Sequence, residues 1–328
     1  MPTFLLQSSA GAKIPLPELP GLPKSAHVID LDSILAINAA LASGRPLLVR
    51  GEPGTGKSQL ARAAATALGR AFVQHAVDAR TEPRDLLWSL DTVARLAEAQ
   101  LIGSLKSEKS EGETSVKERM AIARFLHPGP LWWAFDWTSA ATQANNVGTS
   151  VPSTSQTGKP DSGVVVLVDE IDKADPSVPN GLLDALGHGR FDVPGRDAVC
   201  MRADCPPLVV ITTNEERSLP DAFLRRCLVL HLSLPTQPEE LEQVLVARGR
   251  AHFEAKDVPD SVLRAAAKQL VIDREQACRD DLSPPGLAEY IDLLRAVSQQ
   301  KKTEQEQFDL LKQIAKFAYK KHPQVSHP

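Results

Sequence analysis

At 328 residues, with 42% hydrophobic and 24% charged side chains, the chain has material for two domains. Its 37 Lys and Arg against 41 Asp and Glu leave a formal charge of −4, which argues against a nucleic-acid footprint. No apolar run approaches the roughly 18–20 residues of a membrane helix, and the start Met1–Leu6 lacks the positive residues of a secretory signal.

The first 26 residues are punctuated by Pro15, Pro17, Pro20 and Pro23, a pattern that predicts an extended arm. A helix over Asp32–Ala42 then leads into the apolar run Pro46–Arg50, suited to a buried parallel strand. Directly after it stands Gly51-Glu52-Pro53-Gly54-Thr55-Gly56-Lys57-Ser58, with the spacing of a phosphate-binding loop. Gly54 and Gly56 let successive N–H groups turn toward phosphate oxygens. Lys57 supplies a compact charge for the β- and γ-phosphates, and the Ser58 hydroxyl can ligate Mg2+. A helix over Lys57–Leu68, closed by Gly69, would set its positive dipole end under the phosphates. The nucleotide set therefore runs from Gly51 through Gln59.

A second strand is predicted at Ala71–Val77, followed by helical patterns at Asp85–Leu101 and Val116–Leu126. Two low-complexity stretches, Gly103–Lys117 and Thr138–Gly163, are expected to be mobile loops because neither can bury much apolar area. Trp132, Trp133 and Trp137 lie between them; they read either as aromatics docking this insertion on the core or as a partner- or substrate-binding patch.

The β-branched run Val164–Val168 predicts a strand buried on both faces, ending in Asp169 and Glu170. Asp169 is the candidate metal-side carboxylate, and Glu170 the candidate base for an attacking water. A strand at Leu208–Thr213 ends in Asn214, whose amide can bond a γ-phosphate oxygen or that water. Arg225 and Arg226 follow at a helix–strand junction; on a surface they could reach a neighbour's nucleotide. The last strand is predicted at Leu228–Leu234, and beyond Pro235 the pattern turns helical: Glu239–His252, Ser261–Arg274, Pro285–Gln299 and Glu304–Lys321. Cys200, Cys205, Cys227 and Cys278 show no paired metal spacing and read as reduced thiols of a cytoplasmic protein.

Taken together, these motifs resemble an AAA+ ATPase, most closely the MoxR-type branch. The resemblance places Walker A on Gly51–Ser58, Walker B on Val164–Glu170, sensor 1 on Asn214 and the arginine-finger segment on Leu219–Cys227. Leu182–Gly195, Arg80–Leu87 and Pro128–Trp133 resemble connecting elements of the same family. One departure is visible: where many relatives carry a sensor-2 arginine, Asp281–Leu287 has none, although Arg279 is nearby.

The resemblance implies an α/β fold, a P-loop parallel-sheet AAA+ core followed by a smaller all-helical lid domain. The expected organisation is an arm over 1–26, a nucleotide-binding domain over 27–235 with an insertion at about 80–162, a lid over 236–321 and a disordered tail from 322 to 328. ATP and Mg2+ are the implied cofactors, a homo-hexameric ring the implied assembly, and a von Willebrand factor A domain protein the implied partner. The expected activity is ATP hydrolysis driving chaperone-like remodelling. Its alternatives are a nucleotide-gated scaffold with slow hydrolysis and a DNA-associated AAA+ ATPase.

Overall fold

The structure is a computed structural model that describes residues 5–105, 113–153, 158–301 and 303–319. Its strands in chain order are β1 (Lys13–Leu16), β2 (Ser25–Val28), β3 (Leu47–Arg50), β4 (Arg70–Ala76), β5 (Trp88–Leu90), β6 (Leu126–Pro128), β7 (Lys159–Asp169), β8 (Arg190–Phe191), β9 (Val199–Cys200), β10 (Leu208–Thr213) and β11 (Leu228–His231). Its helices are α1 (Leu31–Ser43), α2 (Lys57–Leu68), α3 (Thr92–Leu105), α4 (Glu113–Arg119), α5 (Pro130–Phe135), α6 (Trp137–Asn146), α7 (Ser177–His188), α8 (Asp221–Leu224), α9 (Pro238–His252), α10 (Asp260–Arg279), α11 (Leu287–Gln300) and α12 (Glu304–Tyr319).

The chain divides into two compact units. The first comprises Met1–Gln7, Leu35–Leu48 and Ala64–Val229; the second comprises Ser8–Ile34, Val49–Ala63 and Leu230–Pro328. Each unit is assembled from segments that are separated along the chain. The amino-terminal segment and the phosphate loop group with the carboxy-terminal helices.

A five-stranded sheet in the order β11-β3-β10-β7-β4 forms the α/β core. β7 runs parallel to both neighbours, with Val166 beside Val73 on one side and Val209 on the other. Val165, Val166, Leu167 and Val168 are wholly buried, as an uninterrupted apolar run on a two-sided sheet requires. Their burial contributes roughly 1.5–3 kcal/mol per side chain. The α/β fold class expected from the motifs is thus the observed one.

In the other unit, α9 to α12 enclose a separate core of Leu245, Leu263, Leu270, Tyr290 and Leu294. The proline-rich arm is a paired structure rather than a bare extended one: β1 and β2 form an antiparallel ladder, Ile14 opposite His27. Its prolines offer carbonyls instead of N–H groups. The buried Arg62 of α2 donates to Pro17 O at 2.7 Å and Pro23 O at 3.2 Å.

The insertion departs most from expectation. Asp85–Leu101 is not one helix: a 3-10 turn at Pro83–Leu86 gives way to β5, which pairs antiparallel with β6 before α3 begins. The helix expected over Val116–Leu126 stops at Arg119, and a 3-10 turn over Ile122–Phe125 leads into β6. Cross-strand partners outside the local window decide both segments.

Thr138–Gly163 is not a loop throughout, since Thr138–Asn146 lies within α6 and Lys159–Gly163 within β7. Asp136 caps α6 by accepting from Ser139 N at 2.9 Å. Gln143 is buried and donates to the Ala123 and Leu126 carbonyls at 2.6 and 2.7 Å. Residues 106–112 and 154–157 of the two expected loops, and the tail from 322 to 328, lie outside the described residues. Trp132 and Trp133 are buried in the first unit's core, the Trp133 ring tilted at 60° to that of Trp137 with centroids 4.9 Å apart. These two dock the insertion on the core, and Trp137 is half-buried.

Candidate functional site: a phosphate loop and an acidic strand end

The phosphate loop belongs to the second unit. Gly51, Gly54 and Gly56 all adopt positive φ, at 147°, 77° and 99°. At Gly51 a Cβ would collide with the Leu232 carbonyl, so only glycine fits beside that chain. Thr55 is buried and donates from Oγ1 to Glu52 O at 2.9 Å, closing the turn. Lys57 is also buried; its ammonium donates to Gly51 O at 2.6 Å and Glu52 O at 2.9 Å.

α2 starts at Lys57 with no acidic residue in its first turn, so nothing there offsets the positive end of the dipole. Ser58 and Gln59 sit half-buried in that turn, and Glu52 and Pro53 are exposed at the loop's rim. A glycine turn at the start of a helix, with one ammonium beside it, has the chemistry that a polyphosphate needs.

Around the loop, the other parts of the same unit are closely placed. Ala288 N, at the start of α11, donates to Gly54 O at 3.1 Å. Arg274 of α10 pairs with Glu52 at 2.5 Å. His27 of β2 lies against Gly56 and is 4% exposed. Burial, with Arg248 beside it, lowers its pKa from 6.5 to about 4.

The acidic strand end belongs to the first unit. β7 closes at Asp169, flanked by the ends of β4 and β10. Asp169 Oδ1 accepts from Thr212 Oγ1 at 2.6 Å, and the same hydroxyl accepts from Glu170 N at 2.9 Å. Glu170 is left-handed, at φ 60° and ψ 50°, a strained conformation for a residue with a Cβ. That reversal starts the turn Ile171–Lys173 and carries Lys173 back over its carboxylate. Lys173 Nζ donates to Glu170 Oε2 at 2.5 Å, and Asn214 Nδ2 donates to Oε1 at 3.0 Å. The hydrogen bond and charge of Glu170 hold the Lys173 ammonium above its usual range.

Asp169, Glu170 and Asn214 are therefore gathered at one strand end. Arg225 and Arg226 follow α8 with exposed side chains. Their carbonyls are tied to Arg45, which donates from Nε to Arg226 O at 3.0 Å and from Nη2 to Arg225 O.

Several residues in these surroundings were not singled out from the sequence. Lys173 was legible in principle, three positions from Glu170. Thr212 carries a weaker signal, as a hydroxyl ending a buried strand. Arg45 and Arg274 carry none, because their partners lie far away along the chain.

A phosphate cradle opening a helix, with paired carboxylates closing a parallel strand, defines a P-loop nucleoside triphosphatase. The AAA domain family (dynein-related subfamily) matches residues 46–248, and the chain belongs to that family of ATPases. Solved structures are similar as well, two of which follow. A Cytophaga hutchinsonii protein assigned as an ATPase is 14% identical, over 87% of this chain and 78% of its own, with a TM-score of 0.38. The Thermotoga maritima RuvB Holliday junction branch migration motor is 15% identical, over 86% of this chain and 67% of its own, with a TM-score of 0.40. At these scores the family rests on the 46–248 match. No curated protein matches. Among the described residues no helix is long and apolar enough to cross a membrane.

Proposed function

We propose that the chain hydrolyses ATP with Mg2+ in a homo-hexameric ring of the MoxR type and uses the turnover to remodel a partner protein. Gly51–Gln59 take the nucleotide, with Lys57 on the β- and γ-phosphates. Ser58 and Asp169 offer hard oxygen donors suited to Mg2+, which would neutralise charge on the transferred phosphoryl group. Glu170 draws the proton from the attacking water, and Asn214 orients it. Arg226, or Arg225, completes the site of a neighbouring subunit. The partner class proposed by family resemblance is a von Willebrand factor A domain protein, and the compartment is the cytoplasm.

The observation that carries this reading is the carboxylate of Glu170 held between Asn214 and Lys173. A base fixed by two donors is oriented before the water arrives. The test is steady-state phosphate release by Glu170→Gln. Its ATP affinity should stay within about threefold of the parent, and its turnover should fall at least about a hundredfold. Parental turnover in that variant would refute the assignment.

The missing arginine in Asp281–Leu287 favours one second reading: a nucleotide-gated scaffold that hydrolyses slowly. Tight ATP-dependent assembly with little phosphate release, with or without a partner, would select it.

A further inference from the structure

Among its relatives' expected parts, this chain lacks an arginine just ahead of α11. The nearest candidate, Arg279, faces solvent and pairs only loosely with Glu275, at 3.5 Å. Arg274, one turn and a half earlier on α10, is placed quite differently. Its side chain is 14% exposed, and its two terminal nitrogens are divided between two segments. Nη2 meets Glu52 Oε2 of the phosphate loop at 2.5 Å, while Nη1 donates to Pro285 O at 3.0 Å.

The segment it grips is itself applied to the loop. Pro284 and Pro285 stiffen the approach to α11. Gly286 N is capped by Glu289 Oε2 at 2.9 Å, and Ala288 N donates to Gly54 O at 3.1 Å. A Cβ on Gly54 would lie 3.1 Å from Glu289 Oε2 and 3.2 Å from Ala288 Cβ, so the loop's apex has no slack on that side. One planar fork thus ties α10, the α11 approach and the rim of the phosphate loop together. A lysine could make either contact but not both in this geometry.

We propose that Arg274 is a positioning residue for nucleotide binding: through Glu52 and the Pro285 carbonyl it holds the phosphate loop in its receptive shape from the helical side. This rests on the reading of the loop as an ATP site. Arg274 acts on the loop rather than on the reacting atoms. Its loss should therefore weaken binding of ground and transition states alike, raising KM more than it lowers kcat.

The experiment is a double-mutant cycle on the full chain, Arg274→Ala, Glu52→Gln and both together. ATP affinity is read by calorimetry, KM and kcat by phosphate release, and folding by melting without nucleotide. Arg274→Ala should raise Kd and KM for ATP about tenfold with a smaller change in kcat, and Glu52→Gln should move them the same way. The double variant should be no worse than the weaker single, and Arg274→Lys should fall between parent and alanine. Effects that multiply in the double variant, or a parental Kd in Arg274→Ala, would overturn the proposal. Should alanine prevent folding, Arg274→Lys and Glu52→Gln complete the cycle with the same criteria. Calorimetry separates the two levels of inference: a parent that binds ATP without hydrolysing it sinks the ATPase reading, while the cycle still decides Arg274.

Discussion

Acid should destabilise the helical unit through His27, and the size of the effect can be worked out. His27 is sealed between the hairpin and α9, where burial and Arg248 oppose protonation, Asp30 favours it weakly, and His252 adds a further like charge. Unfolded, the imidazole takes a proton near 6.5; folded, it does so only near 4. The unfolded chain therefore binds more protons between those values, so folding loses stability as pH falls from about 6.5 to about 4.

At about 1.4 kcal/mol per pH unit the whole window amounts to about 3 kcal/mol, of which about 2 should be gone by pH 5. His252 titrates in the same sense, being lowered to about 4 chiefly by burial, and will add to the loss. The assay is urea unfolding at about pH 7.5 and pH 5. It should be followed by hydrogen exchange of the Ile14 and His27 amides, because all four tryptophans lie in the other unit. In His27→Gln the pH dependence should flatten by about 2 kcal/mol. A parent that loses no more stability than His27→Gln over this range would refute the reasoning.

Two other expectations concern the site. Gly51→Ala must hold a Cβ at φ 147° against the Leu232 carbonyl, so it should cost at least about 2 kcal/mol and abolish ATP binding; a parental melting point with parental affinity would contradict this. If Arg226 acts on a neighbour, mixing Arg226→Ala with Lys57→Ala subunits should restore part of the turnover that neither variant has alone. Failure of rescue at every mixing ratio would argue against catalysis shared between subunits.

Much of the site could be read locally, since its parts are short runs whose spacing carries the chemistry. Gly51–Ser58 can be recognised without tertiary context because the turn is made by its own glycines. Val164–Val168 reads as a buried strand because no polar residue interrupts it, and Glu170 follows by position. What could not be read was the company each residue keeps. Nothing near Glu170 in sequence announces Asn214 as its bonded partner, 44 positions away. Thr138–Asn146 looks like solvated chain until Gln143 is seen serving carbonyls on Ala123 and Leu126.

Sequence alone thus determined the kind of chemistry: a phosphate cradle, paired acids on a parallel strand and the family they belong to. Backbone turns and β-branched burial are encoded over a few neighbouring residues, and so survive without context. Tertiary structure alone decided how the chain divides, that β5 is a strand, that His27 stays neutral, and that Arg274 reaches Glu52 across 222 positions. Those outcomes depend on which distant groups supply a hydrogen bond or exclude water, and no local period records that.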